Sequence, residues 1–392
     1  MKYRKHKDLT VSEVGVGCYA LSGVYGVKDV KEFKQMLNRA YNLGINFFDT
    51  ANAYGDAERI LGEVVKPYRK DVYIATKVGI KGGVKPTLSG KYIKAACEKS
   101  FERLQTDHID FYQVHFDDPD TPVEETVGVL EELVSDGKIR YYGVGHLPIE
   151  RVEIYCKIRN VFSVLMELSA VTRNSREKLL QLCQTYGVGA IAFSVTGRGL
   201  LTRRFQKRKV FESGDIRNID PLFQQERFQS GLRVVEKLTK VGRQYGKTPT
   251  QVAITWVLSQ QGIICALTGS STIGHLEENI GGSGWLLSSV DLKDLELFFK
   301  QEDVWLEREQ RLSIRQVLSK PLQKESSKAF VNLVYVIETA ILLGLTSEKE
   351  VLPIFQELYR MRKALDEDVV PKLENIRKRL CDIILTKNRE VL

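Results

Sequence analysis

This sequence has few features that indicate a metal site, a membrane span or a secretory signal: its cysteines are widely spaced and its apolar runs are short. Its six cysteines are scattered, and no two of them are spaced as C-x-x-C. A zinc site or a redox dithiol is therefore not expected, and reduced thiols in the cytoplasm fit best. The longest apolar run near the C-terminus, "AILLGL", is too short to span a bilayer. The basic start "MKYRKHKDLTV" is not followed by the apolar stretch of a secretory signal.

The charge of the chain also limits the classes of partner. Its formal net charge is +8, from 58 basic and 50 acidic residues. This surplus could attract nucleotides or phosphorylated substrates, while dispersed lysines on a solvated surface are the simpler interpretation. The sequence has no arginine-rich tail with interleaved aromatic residues, so nucleic acid is not expected as a partner.

Short apolar runs alternate with amphipathic stretches along the first three quarters of the chain. Eight such runs are each followed by a helical pattern, and they are Glu13–Gly17, Ile45–Phe48, Val72–Lys77, Ile109–His115, Ile139–Gly145, Phe162–Glu167, Val188–Ser194 and Ile263–Gly269. Nearly continuous apolar runs are typical of parallel strands covered on both faces. Eight units predict an α/β fold, a closed (β/α)8 TIM barrel. The alternative, an open doubly wound sheet, would require G-x-G-x-x-G after the first strand, where the chain reads "CYALSGVYG".

The pattern changes after the barrel. We expect a barrel domain over residues 1–310, a polar connector over 311–325 and a C-terminal helical segment over 326–392. The helical segment carries no recognisable chemistry. It is predicted to pack against the barrel or to mediate self-association in a homo-oligomer.

Four ionisable side chains stand where strands end. The second predicted strand runs into Asp49, the third ends in Lys77 and the fourth ends in His115, while Tyr54 lies in the loop after the second strand. Active sites of parallel barrels form at the carboxyl ends of the strands. A single histidine at a strand end is more often structural, but four such groups at neighbouring strands indicate one catalytic site.

The chemistry of these groups favours proton transfer to an oxygen. A free tyrosine has a pKa of about 10, and we expect the nearby Lys77 cation to favour the phenolate and lower that value. Asp49 would keep the lysine protonated, and His115 would donate a hydrogen bond to a carbonyl oxygen. Such a site suits carbonyl reduction, which requires hydride from a nicotinamide cofactor.

Three stretches resemble the signature regions of the aldo-keto reductases: "FFDTANAYG", "IATKVG" and "YQVHFDDPDTPVEET". The resemblance covers about residues 1–300. It implies a (β/α)8 barrel that reduces aldehydes or ketones with NADP(H), or less often NAD(H). It also implies Tyr54 as general acid/base, Asp49 and Lys77 as the pair that tunes it, and His115 as the substrate-orienting group.

The resemblance extends to the cofactor segments "FSVTGRGLL" and "GSSTIGHLEENIGG", with departures. Phe193 replaces a tyrosine that stacks on nicotinamide, Gly145 and His146 replace the Ser–Asn pair that holds the carboxamide, and Leu165 replaces a glutamine. His275 stands where many members carry an arginine for the 2′-phosphate or adenine. The basic run Arg203–Lys209 could compensate, or could be a solvated charge run. The implied cofactor residues are Gly17, Asp49, His146, Glu167, Phe193, Ser194, Thr196, Gly197, Gly199, Gly269, Ser270, Ser271, Thr272, His275, Glu278 and Asn279.

The implied substrate walls are aromatic. Tyr19, Tyr25 and Phe116 would line the mouth beside Tyr54 and His115, and no arginine clamp for a carboxylate is evident. An alternative function stays open, in which the chain binds cofactor but serves as a regulatory or scaffold subunit with little turnover. The β subunits of potassium channels, which share this barrel, are the precedent for that hypothesis.

Overall fold

The chain folds into two compact units. The computed structural model describes residues 1–81, 85–158, 161–174, 176–205, 211–212, 214–322, 325–361 and 367–388. The first unit, here the barrel unit, comprises Met1–Arg204 and Val235–Leu292, and the second, the helical unit, comprises Phe205–Val234 and Lys293–Leu392.

Eight parallel strands close into a barrel. The strands of the barrel unit, in chain order, are β1 Tyr3–His6, β2 Leu9–Ser12, β3 Val14–Gly17, β4 Phe47–Asp49, β5 Tyr73–Val78, β6 Ile80–Lys81, β7 Lys85–Pro86, β8 Ile109–Val114, β9 Ile139–Gly145, β10 Ser163–Glu167, β11 Gly189–Phe193 and β12 Ile263–Thr268. The closed sheet runs in the order β3, β4, β5, β8, β9, β10, β11, β12 and returns to β3. The predicted (β/α)8 barrel is therefore confirmed, with strand boundaries within two residues of the predicted ones.

Helices alternate with these strands and continue past them. The α-helices are α1 Val30–Asn42, α2 Ala57–Val65, α3 Gly90–Leu104, α4 Val123–Ser135, α5 Ile149–Ile158, α6 Arg176–Tyr186, α7 Gln225–Tyr245, α8 Pro249–Leu258, α9 Ile273–Ile280, α10 Ser289–Ser319, α11 Ser326–Leu342, α12 Glu348–Met361 and α13 Val370–Leu380. Helices α7 and α10 each have residues in both units. Short 3-10 turns lie at Tyr19–Ser22, Lys66–Asp71, Leu200–Thr202, Ile216–Asn218, Pro221–Phe223 and Glu367–Val369, and a π turn lies at Cys381–Leu385.

An N-terminal hairpin completes the core of the barrel unit. Strands β1 and β2 pair antiparallel, with Tyr3 opposite Ser12. Leu9 and Val11 are 1% exposed and pack in one cluster with Phe47 and other side chains of the barrel strands. This hairpin was not among the sequence-based predictions, because its strands are short and its first half is strongly charged.

The helical unit has an apolar core of its own. Buried residues from the end of α10 and from α11, α12 and α13 form one cluster, which includes Ile314, Leu333, Ile354 and Leu373. Ile219, from the segment 205–234, packs against it. The segment that follows β11 and the C-terminal helices therefore share one core.

The connector expected over residues 311–325 is helical in its first part. Helix α10 continues to Ser319, because Ile314 and Leu318 are spaced by four residues and are both fully buried. The helix ends just before Pro321, as expected where a proline disfavours helical backbone in the residue before it. The helical unit also begins earlier than the predicted residue 326 and includes residues 205–234.

Among the described residues, none of the helices combines the length and the apolar character needed to cross a bilayer. The cytoplasmic location and the self-association through residues 326–392 stay predictions.

Two helical glycines give a matched test of the barrel packing. A Cβ at Gly62 in α2 would lie 2.3 Å from the carbonyl oxygen of Leu104, whereas a Cβ at exposed Gly128 in α4 would meet nothing within 4 Å. We expect Gly62→Ala to lower the free energy of unfolding by about 1–3 kcal/mol through overpacking against backbone. Gly128→Ala should raise it by about 0.5–1 kcal/mol, because alanine is the better helix former. Urea unfolding followed by circular dichroism measures both, and equal effects of the two substitutions would contradict the packing argument.

Candidate active site

Parallel pairing places Asp49 and Lys77 on one inward-facing row. Asp49 ends β4 opposite Ala75 of β5, and Lys77 lies two residues further along β5. Residues two apart on a strand point to the same face of the sheet. Both side chains therefore face the inside of the barrel near its carboxyl end, where Lys77 is 1% and Asp49 6% exposed.

The two side chains form a buried ion pair. Lys77 Nζ donates to Asp49 Oδ1 at 2.5 Å and to the carbonyl oxygen of Thr50 at 2.7 Å. Two of the three donors of the ammonium are therefore occupied by the end of β4. Burial raises the pKa of Asp49, and the attraction of Lys77 opposes that rise.

A tight turn holds Tyr54 over this pair. The Asn52 amide donates to the Lys77 carbonyl, the Tyr54 amide donates to the Ala51 carbonyl, and the Ala57 amide donates to the Tyr54 carbonyl as α2 begins. The turn places Lys77 Nζ 5.1 Å from the centre of the Tyr54 ring. The predicted pairing of phenol and ammonium is thus present in the structure.

His115 completes the predicted tetrad. It follows β8 directly, and its amide donates to the carbonyl of Val78, at the end of the neighbouring strand β5. Its ring lies edge-on to Tyr54, with 5.7 Å between centres and 75° between planes. Asp49, Tyr54, Lys77 and His115 therefore meet at one opening, as the strand ends predict.

The pKa of Tyr54 departs from the sequence-based expectation. Burial raises the pKa of this phenol well above its ordinary value of 10, and the negative charge of Asp49 raises it further. The expected lowering by Lys77 does not occur, because burial of the phenol dominates and Asp49, 2.5 Å from the lysine Nζ, offsets the lysine charge. Tyr54 is therefore a neutral phenol near pH 7, a proton donor instead of a phenolate.

The two histidines of the opening are neutral as well. Burial lowers the pKa of His115 well below its ordinary 6.5, with help from Lys77 and His146. The surrounding protein, together with the charges of Lys77 and Arg198, lowers the pKa of His146 to about 4, although part of this residue is exposed to solvent. A neutral imidazole can still donate one N–H to a carbonyl oxygen.

Aromatic rings line the opening on both sides of the tetrad. On one side, Tyr19 lies 4.9 Å from Tyr54 and 5.8 Å from Tyr25, measured between ring centres. On the other, Phe116 lies 4.5 Å from His115. The three predicted substrate-wall residues therefore adjoin the tetrad, and they form an apolar rim.

The ends of β9, β10 and β11 continue that rim. His146 follows β9, and its ring lies 5.0 Å from Phe116 and 4.8 Å from Phe193. Glu167, the last residue of β10, forms an ion pair with Arg198 at 3.0 Å. Leu165, where the resemblance would place a glutamine, is buried in the barrel core, so it offers no polar group at this edge.

The loop after β11 has an unusual backbone. Ser194, Gly197, Arg198 and Gly199 all have positive φ, at 54°, 59°, 51° and 91° respectively. Thr196 and Gly197 are buried within it. A Cβ at Gly199 would meet no atom within 4 Å, so the backbone there is open to approach.

The last cofactor segment follows β12. Gly269 comes directly after the strand, opposite the end of β3 that carries Gly17, and a Cβ on it would also meet nothing within 4 Å. Thr272 caps α9 by accepting from the His275 amide, and Asn279 donates to Ser270 at 3.0 Å. The remaining residues predicted there, Ser271 and Glu278, are half-buried on the same segment.

These features fit a nicotinamide dinucleotide. The open backbone at the two glycines suits the close approach of a pyrophosphate, and the capped start of α9 offers N–H groups to a phosphate. At the tetrad, Asp49 Oδ2, Thr50 Oγ1 and His115 Nδ1 are buried with no hydrogen-bond partner among the described residues. Buried polar atoms of this kind usually have a partner, so the site is built to receive a polar ligand.

Sequence reasoning missed three contacts at the site. The carbonyl of Thr50 binds Lys77, Arg198 pairs with Glu167, and Arg204 donates to Nε2 of His275. The first involves backbone, which sequence does not reveal. Arg198 lies between two glycines of the loop, and that position was the available signal. Of the basic run Arg203–Lys209, residues 206–209 lie outside the described residues.

The buried ion pair gives a prediction on stability. Lys77→Met removes the cation and leaves Asp49 buried and unpaired, so we expect the free energy of unfolding to fall by about 3–5 kcal/mol at pH 7. The double variant Asp49→Asn/Lys77→Met should recover much of this loss, since it buries no unpaired charge. Urea unfolding of the single and double variants provides the measurement. A double variant that is less stable than Lys77→Met would contradict a charge-based origin.

Known proteins resemble this chain over the barrel. Residues 13–297 match the sequence profile described as "Aldo/keto reductase family". Aldo-keto reductase YhdN of Bacillus subtilis (strain 168) is 34% identical over 306 residues, which cover 75% of this chain and 92% of that protein. Aldo-keto reductase str7 of Strobilurus tenacellus is 33% identical over 322 residues, which cover 79% and 95%.

Solved structures of aldo-keto reductases are also similar to this chain. The glycerol dehydrogenase of Gluconobacter oxydans superposes with a TM-score of 0.70 at 27% identity, covering 76% of this chain and 95% of that one. The holo form of an aldo-keto reductase from Bacillus halodurans gives a TM-score of 0.64 at 28% identity, covering 76% and 96%. With its closed barrel and its profile match over residues 13–297, this chain belongs to the aldo-keto reductase family of oxidoreductases, which use nicotinamide cofactors.

Proposed function

We propose that the protein reduces an aldehyde or ketone to an alcohol with a reduced nicotinamide cofactor, and that Tyr54 is the general acid. The observation that carries the proposal is the Lys77–Asp49 pair, at 2.5 Å, beneath the ring of Tyr54 and beside His115 at one opening. The same groups serve the reverse reaction, in which Tyr54 receives the proton.

Each residue of the tetrad has a distinct task in the reduction. When bound, the cofactor would supply hydride to the carbonyl carbon, and negative charge would then develop on the carbonyl oxygen. The neutral imidazole of His115 donates a hydrogen bond to that oxygen and orients it. Tyr54 transfers its proton to the oxygen, which becomes a far stronger base than a phenolate as the hydride arrives. The third donor of Lys77, the one not bound to Asp49 or Thr50, stabilises the phenolate that remains.

The substrate class follows from the rim of the opening. Tyr19, Tyr25 and Phe116 present aromatic faces next to the tetrad. Aromatic side chains combine a large apolar surface with specific ring geometry, so aromatic and long aliphatic aldehydes should bind better than small charged ones. For the cofactor we propose NADP(H) in preference to NAD(H), because positive charge lies beside α9 at Arg204 and Lys28.

Substitution of the proposed acid tests the mechanism. Tyr54→Phe should lower kcat for aldehyde reduction by about 10²–10⁴-fold, the usual contribution of a general acid. The affinity for NADPH should change less than about twofold, because the hydroxyl is proposed to act on the carbonyl. Stopped-flow or steady-state absorbance of NADPH with a panel of aldehydes measures the first, and fluorescence titration measures the second.

A matched control distinguishes the loss of the Tyr54 hydroxyl from the loss of a tyrosine hydroxyl elsewhere in the protein. Tyr68→Phe removes a hydroxyl that binds Asn38, on the helices outside the barrel, and should leave turnover near the wild-type rate. Equal rates for Tyr54→Phe and the wild-type protein would rule out the assigned role. Tight NADPH binding by the wild-type protein with no turnover on any carbonyl would instead favour the regulatory-subunit alternative.

The raised pKa of Tyr54 predicts a distinct pH dependence. Because Tyr54 stays protonated and His115 stays neutral, kcat/KM for the carbonyl at saturating cofactor should be flat between about pH 6.5 and 9. A phenol of lowered pKa would lose its proton in this range, and the rate of reduction would fall as pH rises. Initial rates at constant ionic strength measure the profile. A decline with an apparent pKa between about 7 and 9 would contradict the raised phenol pKa.

A further inference from the structure

Helix α10 presents a straight row of exposed side chains within the helical unit. The row, here the α10 row, consists of Asp294, Leu297, Gln301, Val304 and Arg308, whose spacing alternates between three and four residues. Residues spaced in this way lie on one side of a helix. All five are exposed, and the two aliphatic residues in the middle of the row, Leu297 and Val304, are 59% and 67% exposed.

The buried contacts of α10 lie on the opposite side of the helix. Leu295, Phe299 and Gln310 are 0%, 1% and 2% exposed, and none of them belongs to the α10 row. The helix therefore contributes to the fold of one chain through its other face. Leu297 and Val304 are left as neighbouring aliphatic side chains in water, which is typical of a surface that binds another molecule.

The charges of the α10 row fit a second copy of the same row. Asp294 lies seven residues before Gln301, and Arg308 lies seven residues after it. When two copies of α10 pack antiparallel about a twofold axis beside Gln301, Asp294 of each copy faces Arg308 of the other. Leu297 of one copy then meets Val304 of the other, because the two residues are four and three positions from the axis.

The opposite orientation is unfavourable. Parallel packing of two copies in register would place Asp294 against Asp294 and Arg308 against Arg308. Like charges that face each other across an interface are destabilising and suppress that arrangement. The order of the charges along the row therefore selects antiparallel pairing.

We propose that the protein forms a homodimer in which the α10 rows of two copies pack antiparallel about a twofold axis at Gln301. This surface lies outside residues 326–392, for which the sequence pattern suggested self-association. The inference does not rest on the proposed function, since no residue of the row belongs to the candidate active site.

Other charges near the row are compatible with this packing. Arg308 forms an exposed ion pair with Glu309 of its own helix at 2.8 Å, and such pairs contribute so little that Arg308 can exchange one carboxylate for another. Lys300 lies on the flank of the row, where its long side chain reaches solvent past the second copy.

The length of the contact sets the expected strength of the dimer. From Asp294 to Arg308 the row extends about 21 Å, at a rise of about 1.5 Å per residue. One pair of helices over this length gives an interface at the small end of the range for specific complexes. We therefore expect a dissociation constant of about 1–100 μM.

Reversal of single charges tests the pairing in the full-length protein. Asp294→Arg and Arg308→Asp should each raise the dimer dissociation constant at least about tenfold, because each variant places like charges together in its own dimer. An equimolar mixture of the two variants should dimerise about as tightly as the wild-type protein, because each interface then contains two pairs of opposite charge again. Sedimentation velocity over about 1–100 μM protein measures these constants.

Two exposed positions on α12 provide matched controls. Lys349→Asp makes the same change in charge as Arg308→Asp and should leave the dissociation constant within about twofold of wild type. Leu297→Ser should raise the constant about tenfold through the loss of apolar contact, whereas Leu352→Ser, at a residue 42% exposed, should not change it. Circular dichroism checks that each variant is folded.

Three outcomes would overturn the inference. A wild-type protein that stays monomeric up to about 100 μM would show that the α10 row does not bind a second copy. A dimer that survives both charge reversals and Leu297→Ser would use another surface. A mixture of Asp294→Arg and Arg308→Asp that does not recover dimerisation would exclude the antiparallel register.

Discussion

The site depends on one buried ion pair. Lys77 and Asp49 lie inside the barrel with almost no exposed surface, 2.5 Å apart. Burial of a single charge there would cost several kcal/mol, and the attraction of its partner with the additional bond to the Thr50 carbonyl offsets that cost. Because each charge is tolerated only with the other, the pair fixes the ends of β4 and β5 relative to each other. The turn that carries Tyr54 is bonded to the end of β5, so its position follows from the same constraint.

Burial, together with the charges of the pair, decides the protonation state of the phenol. An isolated lysine cation near Tyr54 would favour the phenolate, but in this structure Asp49 accepts from that cation and its own negative charge opposes ionisation. Burial then keeps the phenol neutral, as it keeps His115 neutral. Before reduction, the site therefore holds two neutral hydrogen-bond donors, Tyr54 and His115, next to an ion pair whose two charges cancel. In the proposed reduction, both donors would strengthen their hydrogen bonds only as charge develops on the carbonyl oxygen, which is the condition for lowering the barrier.

The sequence revealed the fold and the tetrad because both depend on periodic and local signals. Apolar runs of five to seven residues, each followed by a helical pattern, predict eight parallel strands, and strand ends predict which side chains share the carboxyl edge. The direction of the Tyr54 pKa shift could not be predicted, because it depends first on how deeply the phenol is buried and then on how closely Asp49 compensates Lys77. The hairpin β1–β2 escaped notice since only Leu9 and Val11 are apolar and buried. The contact of Arg204 with His275 joins residues 71 apart in sequence, and no local pattern indicates such a pairing.

The helical unit combines two segments that are far apart in the sequence, and sequence patterns did not predict that they belong together. The family match ends at residue 297, and sequence patterns place a separate helical segment beyond residue 325. Yet the segment 205–234 belongs to the same compact unit, and its buried Glu226 accepts hydrogen bonds from Tyr335 and from Ser313. Without the C-terminal helices this carboxylate would lose both partners, and Ile219 would lose the core on which it packs. The C-terminal helices therefore contribute to the folding of the segment 205–234, although they carry no recognisable chemistry of their own.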